Sequence, residues 1–258
     1  MRADLAPLPT NTSYPYRAAG KLFFNVGNST FVCSASLIKR GVVVTAAHCV
    51  ANFGQNQIYS NWRFVPGYRN GSAPFGVWSV LGVLLLTSYL DGTDSCTVAG
   101  VVCLDDVAVL VLNTSANGAY AGTQTGWYGY GWDGFGFTAN WLAQITQIGY
   151  PNCLDDGAFM EVNNSFGYIS SNLSYNIIIG SLMCGGASGG PWLVNFGISP
   201  SLTGTTPGFS ANPNTVVGVT SWGYTSTDPK EQGASIFLSS NIVPLVNFVC
   251  NAVPAACS

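Results

Sequence analysis

Charge is what this chain has least of. Asp, Glu, Lys and Arg make up only 7% of its 258 residues, against roughly 25% in an ordinary soluble domain. Eight basic and eleven acidic groups leave a net charge of −3. No cluster of Lys or Arg is present to track a phosphate backbone, so nucleic acid is not expected as a partner. Histidine occurs once, at His48, and no cysteine pair has CxxC spacing. A zinc or haem site therefore has poor raw material, and no metal or organic cofactor is expected. The longest apolar stretch, 77–90, is broken by Gly82, Thr87 and Ser88 and is too short to span a bilayer, so stable membrane insertion is not expected. The chain shows no secretory leader, as expected of the mature form of a secreted protein.

Cysteine, by contrast, is plentiful. The eight, at 33, 49, 96, 103, 153, 184, 250 and 257, make an even count and point to disulfides formed in an oxidising, extracellular compartment. Short closures at 96/103 and 250/257 suit the spacing, but about a hundred connectivities are possible for eight half-cystines. Asn-x-Ser/Thr sequons begin at Asn11, Asn28, Asn70, Asn113, Asn163 and Asn172, and they matter only in a eukaryotic source.

The apolar residues, 48% of the chain, fall in short β-prone runs divided by Gly, Asn, Ser and Pro. They lie at 21–26, 30–38, 42–45, 62–65, 77–86, 107–112, 141–148, 159–162, 167–169, 191–196, 216–222 and 235–238. So many short strands predict an all-β sandwich or barrel system. A single helical turn is predicted over 46–50, and a terminal helix over about 241–249, with Asn241 as N-cap and Pro244 in the first turn. No internal repeat is evident. Residues 1–16, with Pro7, Pro9 and Pro15, read as an extended arm.

Three places carry chemistry. His48 follows a β-rich run and sits beside Cys49, so a bridged Cys49 would hold the imidazole on a pinned backbone, as a general base requires. Such a base needs an anion at its far nitrogen. Asp106 heads the uncharged run Val107–Leu112 and competes with Asp105, and alternation along a strand lets at most one of them face His48. Ser188 lies in Gly185-Gly186-Ala187-Ser188-Gly189-Gly190, where the glycines permit tight backbone and close substrate approach. There the N–H groups of Gly186 and Ser188 could converge on an oxyanion.

Together, Thr45-Ala46-Ala47-His48-Cys49, Asp106-Val107-Ala108-Val109-Leu110 and Gly186-Ala187-Ser188-Gly189-Gly190-Pro191 resemble the landmarks of chymotrypsin-like serine proteases, in that family's His, Asp, Ser order. Thr220-Ser221-Trp222-Gly223 resembles its fourth landmark, a strand that pairs with substrate backbone. The resemblance implies two six-stranded antiparallel β-barrels with a short C-terminal helix. The first barrel would span 17–125 and carry His48 and Asp106. A link at 126–137 would lead to the second, 138–258, carrying Ser188. It assigns His48 as base, Asp106 as its orienter, Ser188 as nucleophile, and the N–H groups of Gly186 and Ser188 as the oxyanion hole. It pairs Cys33–Cys49, and by departure from the family's usual partner, Cys153–Cys184, leaving Cys96–Cys103 and Cys250–Cys257. The mature, low-charge character is similar to secreted bacterial members, such as those of plant-associated actinobacteria.

Three departures stand out. Ala187 occupies the position of a family aspartate that pairs with a freed amino terminus, and Gly20-Lys21-Leu22-Phe23 replaces the start that would supply it. Losing both partners removes the cost of burying either alone, so packing, the 153–184 bridge or other hydrogen bonds must hold the oxyanion loop. The pocket floor is expected at Leu182 with Met183 beside it, alongside Ser221, Trp222 and Gly223, and it favours an uncharged P1 side chain. Its far wall falls in 224–236, where Asp228 and Glu231 bear on that preference. The Gly/Pro/Ser-rich segment 195–214 is expected to overhang the cleft. The leading expectation is a secreted endopeptidase acting on peptides or proteins, including extracellular host proteins. A protease-fold binding protein with little activity is the alternative, prompted by Ala187. A carbohydrate-binding β-domain, prompted by Trp127, Tyr128, Tyr130 and Trp132, is the third.

Overall fold

The computed structural model describes residues 9–197, 213–226 and 230–258. Residues 1–8 of the N-terminal segment, most of the 195–214 segment, and Asp228 lie outside the described residues. Twelve strands form two closed barrels. The first contains β1 (Ala19–Val26), β2 (Ser29–Lys39), β3 (Val42–Thr45), β4 (Ser60–Pro66), β5 (Trp78–Leu85) and β6 (Ala108–Leu112). The second contains β7 (Leu142–Gly149), β8 (Glu161–Ser170), β9 (Asn176–Gly180), β10 (Pro191–Val194), β11 (Thr215–Gly223) and β12 (Glu231–Ile236).

Around the first barrel the order is β1-β2-β3-β6-β5-β4, with β4 pairing back to β1. The second runs β7-β8-β9-β12-β11-β10, with β10 pairing back to β7. These are one topology drawn twice, although no sequence repeat announces it. Every barrel pairing is antiparallel, as hairpin and Greek-key connections require. The first hairpin turns at Gly27-Asn28, where Gly27 has φ +57°, a conformation open to glycine in a two-residue turn.

Two runs differ from the sequence reading. The pieces at 159–162 and 167–169 join as β8, because the polar stretch between them stays in the ladder beside β7. There Thr146 Oγ1 donates to Asn164 Oδ1 at 2.6 Å. β9 was not anticipated. Its Ile177 and Ile179 face the barrel core, while Ile178 packs with Val102 and Trp222 on the other face. With both faces covered, Ile-Ile-Ile shows none of the polar alternation that marks a half-buried strand.

The C-terminal helix, Ile242–Ala252, starts where expected, and the Asn241 side chain accepts from Ile242 N–H at 2.6 Å. Cys250–Cys257 closes the chain beyond it. Within the 126–137 segment, Gly129–Tyr130 adds a short parallel pairing to β11. Tyr128 is fully buried and its hydroxyl donates to Pro15 O at 2.7 Å. It belongs to the core, not to an exposed aromatic platform for sugars. No helix among the described residues is long and apolar enough to cross a membrane.

Candidate active site

β3 ends at Thr45, and Ala47–Cys49 follows as one tight helical turn. The Cys33–Cys49 disulfide ties that turn to β2. His48, with 31% of its side chain exposed, is thus carried on backbone held at both sides. Across from it, Asp106 stands just before β6 and is 2% exposed. Its Oδ2 lies 2.8 Å from His48 Nδ1, and its Oδ1 accepts from the His48 backbone N–H at 2.8 Å. A carboxylate accepting at Nδ1 puts the ring proton there and leaves Nε2 free to accept a proton. Asp105 turns the other way and accepts from Ser88 Oγ at 2.8 Å, as strand alternation demands.

The Ser221 hydroxyl also donates to Asp106 Oδ2 at 2.5 Å, so the acid is gripped from the second barrel as well. Burial disfavours charge on both members of the pair. For His48, the Asp106 charge and hydrogen bond outweigh that and raise its pKa above 6.5. For Asp106, His48 and Ser221 outweigh desolvation and lower its pKa below 3.8. The pair is therefore built to carry a proton on the imidazole while the carboxylate stays charged.

Ser188 lines the same cleft as His48, a cavity of about 690 Å³ where the two barrels meet. The backbone around it explains the glycines. Gly186 has φ +98°, and a β-carbon there would run into Tyr150 O. Gly189 has φ +75°, and a β-carbon there would overlap Thr45 Oγ1. Ala187 is fully buried. The peptide groups of this loop are held one after another. Asn152 N–H donates to Gly185 O at 2.8 Å, Ala187 N–H to Cys184 O at 3.0 Å, and Gly190 N–H to Ala187 O at 2.9 Å. Gly189 N–H donates to Thr220 O at 2.7 Å, and Ser34 N–H donates to Ser188 O at 2.7 Å. The Ser34 hydroxyl donates to Gly186 O at 2.8 Å. The N–H groups of Gly186 and Ser188 donate to no described residue.

Leu182, Met183, Ser221, Trp222 and Gly223 all line the cleft. Gln232 lines it too, an assignment that needed the ladder pairing Gly223↔Gln232 because nothing local marks it. Gln232 Nε2 donates to Met183 O at 3.0 Å, and its Oε1 accepts from Gln147 Nε2 at 2.5 Å. Ser181 Oγ donates to Gln147 Oε1 at 2.7 Å. The inner wall is thus a buried, uncharged amide and hydroxyl network with its polar groups mutually satisfied. Lys230 and Glu231 bring opposite charges to the lining. Cys153–Cys184 stands at the same wall. Gln147, Ser181, Ser34 and Asn152 are further residues the sequence reading did not single out, and no local motif marks any of them.

The trypsin family's sequence pattern matches residues 9–243. Among solved structures, the chain is similar to a thermostable serine protease, AL20, from an extremophilic microorganism, at 23% identity and TM-score 0.73, covering 91% of this chain and 97% of that one. It is similar also to the protease Anisep from Arthrobacter nicotinovorans, at 24% identity and TM-score 0.72, covering 99% and 100% of the two chains. Among curated proteins, an extracellular metalloprotease from Bacillus subtilis (strain 168) is 30% identical over 126 residues, 48% of this chain and 36% of that protein. The chain thus spans little more than a third of that relative's length. With the pattern covering both barrels, from ahead of β1 into the C-terminal helix, the chain belongs to the trypsin family of serine proteases.

Proposed function

We propose that the chain is an extracellular serine endopeptidase in which Ser188, His48 and Asp106 form the catalytic triad. The observation that carries this is the buried Asp106 carboxylate holding His48 at Nδ1, with Nε2 left for Ser188 in one cleft. Ser188 Oγ attacks the peptide carbonyl as His48 Nε2 takes its proton, giving a tetrahedral oxyanion. The N–H groups of Gly186 and Ser188 stabilise that oxyanion, their donor capacity being otherwise unspent. His48 then hands the proton to the leaving amine, and water hydrolyses the acyl-enzyme by the same route.

An uncharged P1 side chain is proposed from the inner wall, where Leu182, Met183 and Gln232 offer a basic group no countercharge. Four disulfides and the extracellular relative support secretion. That relative's description as a metalloprotease does not transfer through the donors here. The single histidine gives Nδ1 to Asp106, and the sulfurs beside it, Cys33 and Cys49, are oxidised to a disulfide and cannot act as thiolates. Ala187 prompts the binding-protein alternative, but the retention of His48, Asp106 and Ser188 together weighs against it.

Labelling by a fluorophosphonate probe tests the assignment. Wild type should label stoichiometrically at Ser188, S188A not at all, and H48A far more slowly. A folded wild type that neither labels nor cleaves any member of a peptide library would sink the reading. In that library, cleavage after Lys or Arg in preference to uncharged residues would overturn the P1 proposal alone.

A further inference from the structure

We propose that the hydroxyl of Ser34, on the first barrel, is a positioning residue for the oxyanion loop of the second. The inference rests on Ser188 being the nucleophile and Gly186 an oxyanion donor. Gly186 is the pliable point of that loop, since a glycine at φ +98° has no side chain to resist rotation of its neighbouring peptides. Two planar peptide groups meet there. The one before it is held through Gly185 O by Asn152 N–H, 2.8 Å away. Because a trans peptide points its oxygen and hydrogen in opposite directions, that bond aims Gly186 N–H away from Asn152. The one after it is held through Gly186 O by the Ser34 hydroxyl, 2.8 Å away. With both planes held, both backbone torsions of Gly186 are held.

The same oxygen accepts from Tyr150 N–H at 2.9 Å, two residues ahead of Asn152, so its own proton is directed at Gly186. One hydroxyl therefore secures the loop and the segment that orients it. Ser34 adds its backbone N–H to Ser188 O at 2.7 Å, and its carbonyl accepts from Thr45 Oγ1 at 2.9 Å, at the end of the strand leading to His48. Ser34 is 1% exposed, so bulk water cannot readily replace the hydroxyl. Ser34 Oγ is the side-chain donor to the peptide that follows Gly186, while Thr220 Oγ1 reaches Gly190 O at the far end of the loop, 3.3 Å away. The buried methyl side chain of Ala187 supplies the loop with no polar contact of its own.

The test compares S34A with the pair S34T and S34V, which share a shape and differ in one hydroxyl. Folding is checked by thermal melting, and the readouts are kcat, KM and affinity for a peptide boronic acid, which forms a tetrahedral adduct at the serine. In S34A, kcat should fall about 10- to 100-fold with KM nearly unchanged, and boronate affinity should fall in parallel with kcat/KM. S34T should retain markedly more activity than S34V. A folded S34A with wild-type kcat, a loss of kcat without loss of boronate affinity, or equal activity in S34T and S34V would overturn the proposal. A wild type that neither labels nor cleaves overturns the endopeptidase reading and this one with it. An active wild type with an unaffected S34A overturns this one alone.

Discussion

Gly149 faces Ala187 so closely that a β-carbon on Gly149 would stand 3.1 Å from both Cα and Cβ of Ala187. Ala187 is fully buried, and Met183 Sδ completes the contact at 3.4 Å from the same point. Gly149 and Met183 thus pack against Ala187, and neither offers a charge.

A187D should therefore destabilise the protein strongly, by about 3–5 kcal/mol, because it buries an uncompensated carboxylate. The carboxyl would be neutralised by protonation, so its folded-state pKa is raised. Stability should then recover as pH falls and be lost as pH rises through that pKa. Thermal melts at acidic and neutral pH check this, and a wild-type melting temperature at neutral pH would refute it.

The acid limb of kcat/KM should lie above pH 6.5, the ordinary value for histidine, because Asp106 raises the His48 pKa against the pull of burial. D106N removes that charge and leaves the burial, so the limb should move to lower pH while kcat drops about 10³- to 10⁴-fold. The stability linkage has two signs. The His48 contribution is fully present below its unfolded pKa and lost as pH rises through the raised folded value. The Asp106 contribution is present above its unfolded pKa and lost as pH falls through the lowered one. A pH–rate profile of both proteins measures the shift.

Cys153–Cys184 closes a sequence separation of 31 residues beside Asn152 and Gly185. Replacing both cysteines by alanine should cost about 3–4 kcal/mol of stability by the chain-entropy argument. It should also slow labelling of Ser188, since Asn152 loses its tether next to the peptide it orients. Chemical denaturation and labelling kinetics test the two effects separately.

Asp94 is pushed up to about 6 by burial first, with the charges of Asp105 and Asp106 adding to it. A raised carboxyl favours the protonated native state, so this group's contribution is lost as pH rises from about 4 towards 6. Relative to wild type, D94N should gain about 1 kcal/mol between those limits, the small figure reflecting solvent screening at a half-buried group. Melting curves across that range decide it.

How much of this was legible beforehand differs from residue to residue. The histidine turn, the aspartate at a strand head, the glycine bed of Ser188 and the Asn241 helix cap are local patterns, written in adjacent residues whose side chains do the work. Their spacing in the chain was enough to single them out. β9 was hidden because both of its faces are covered, which erases the alternation that betrays a strand. Gln232 was hidden because its place at the cleft follows from the register of β12 against β11.

The sequence by itself determined the all-β character, the oxidising chemistry of eight cysteines and the identities gathered around Ser188, because composition and short-range order carry those directly. Only the tertiary structure decided that one strand order occurs in both barrels, and that Ser34 and Asn152 brace Gly186. Nearly every residue carries the same backbone N–H and C=O, so their partners are chosen by barrel closure and strand register, which bring together groups more than a hundred residues apart.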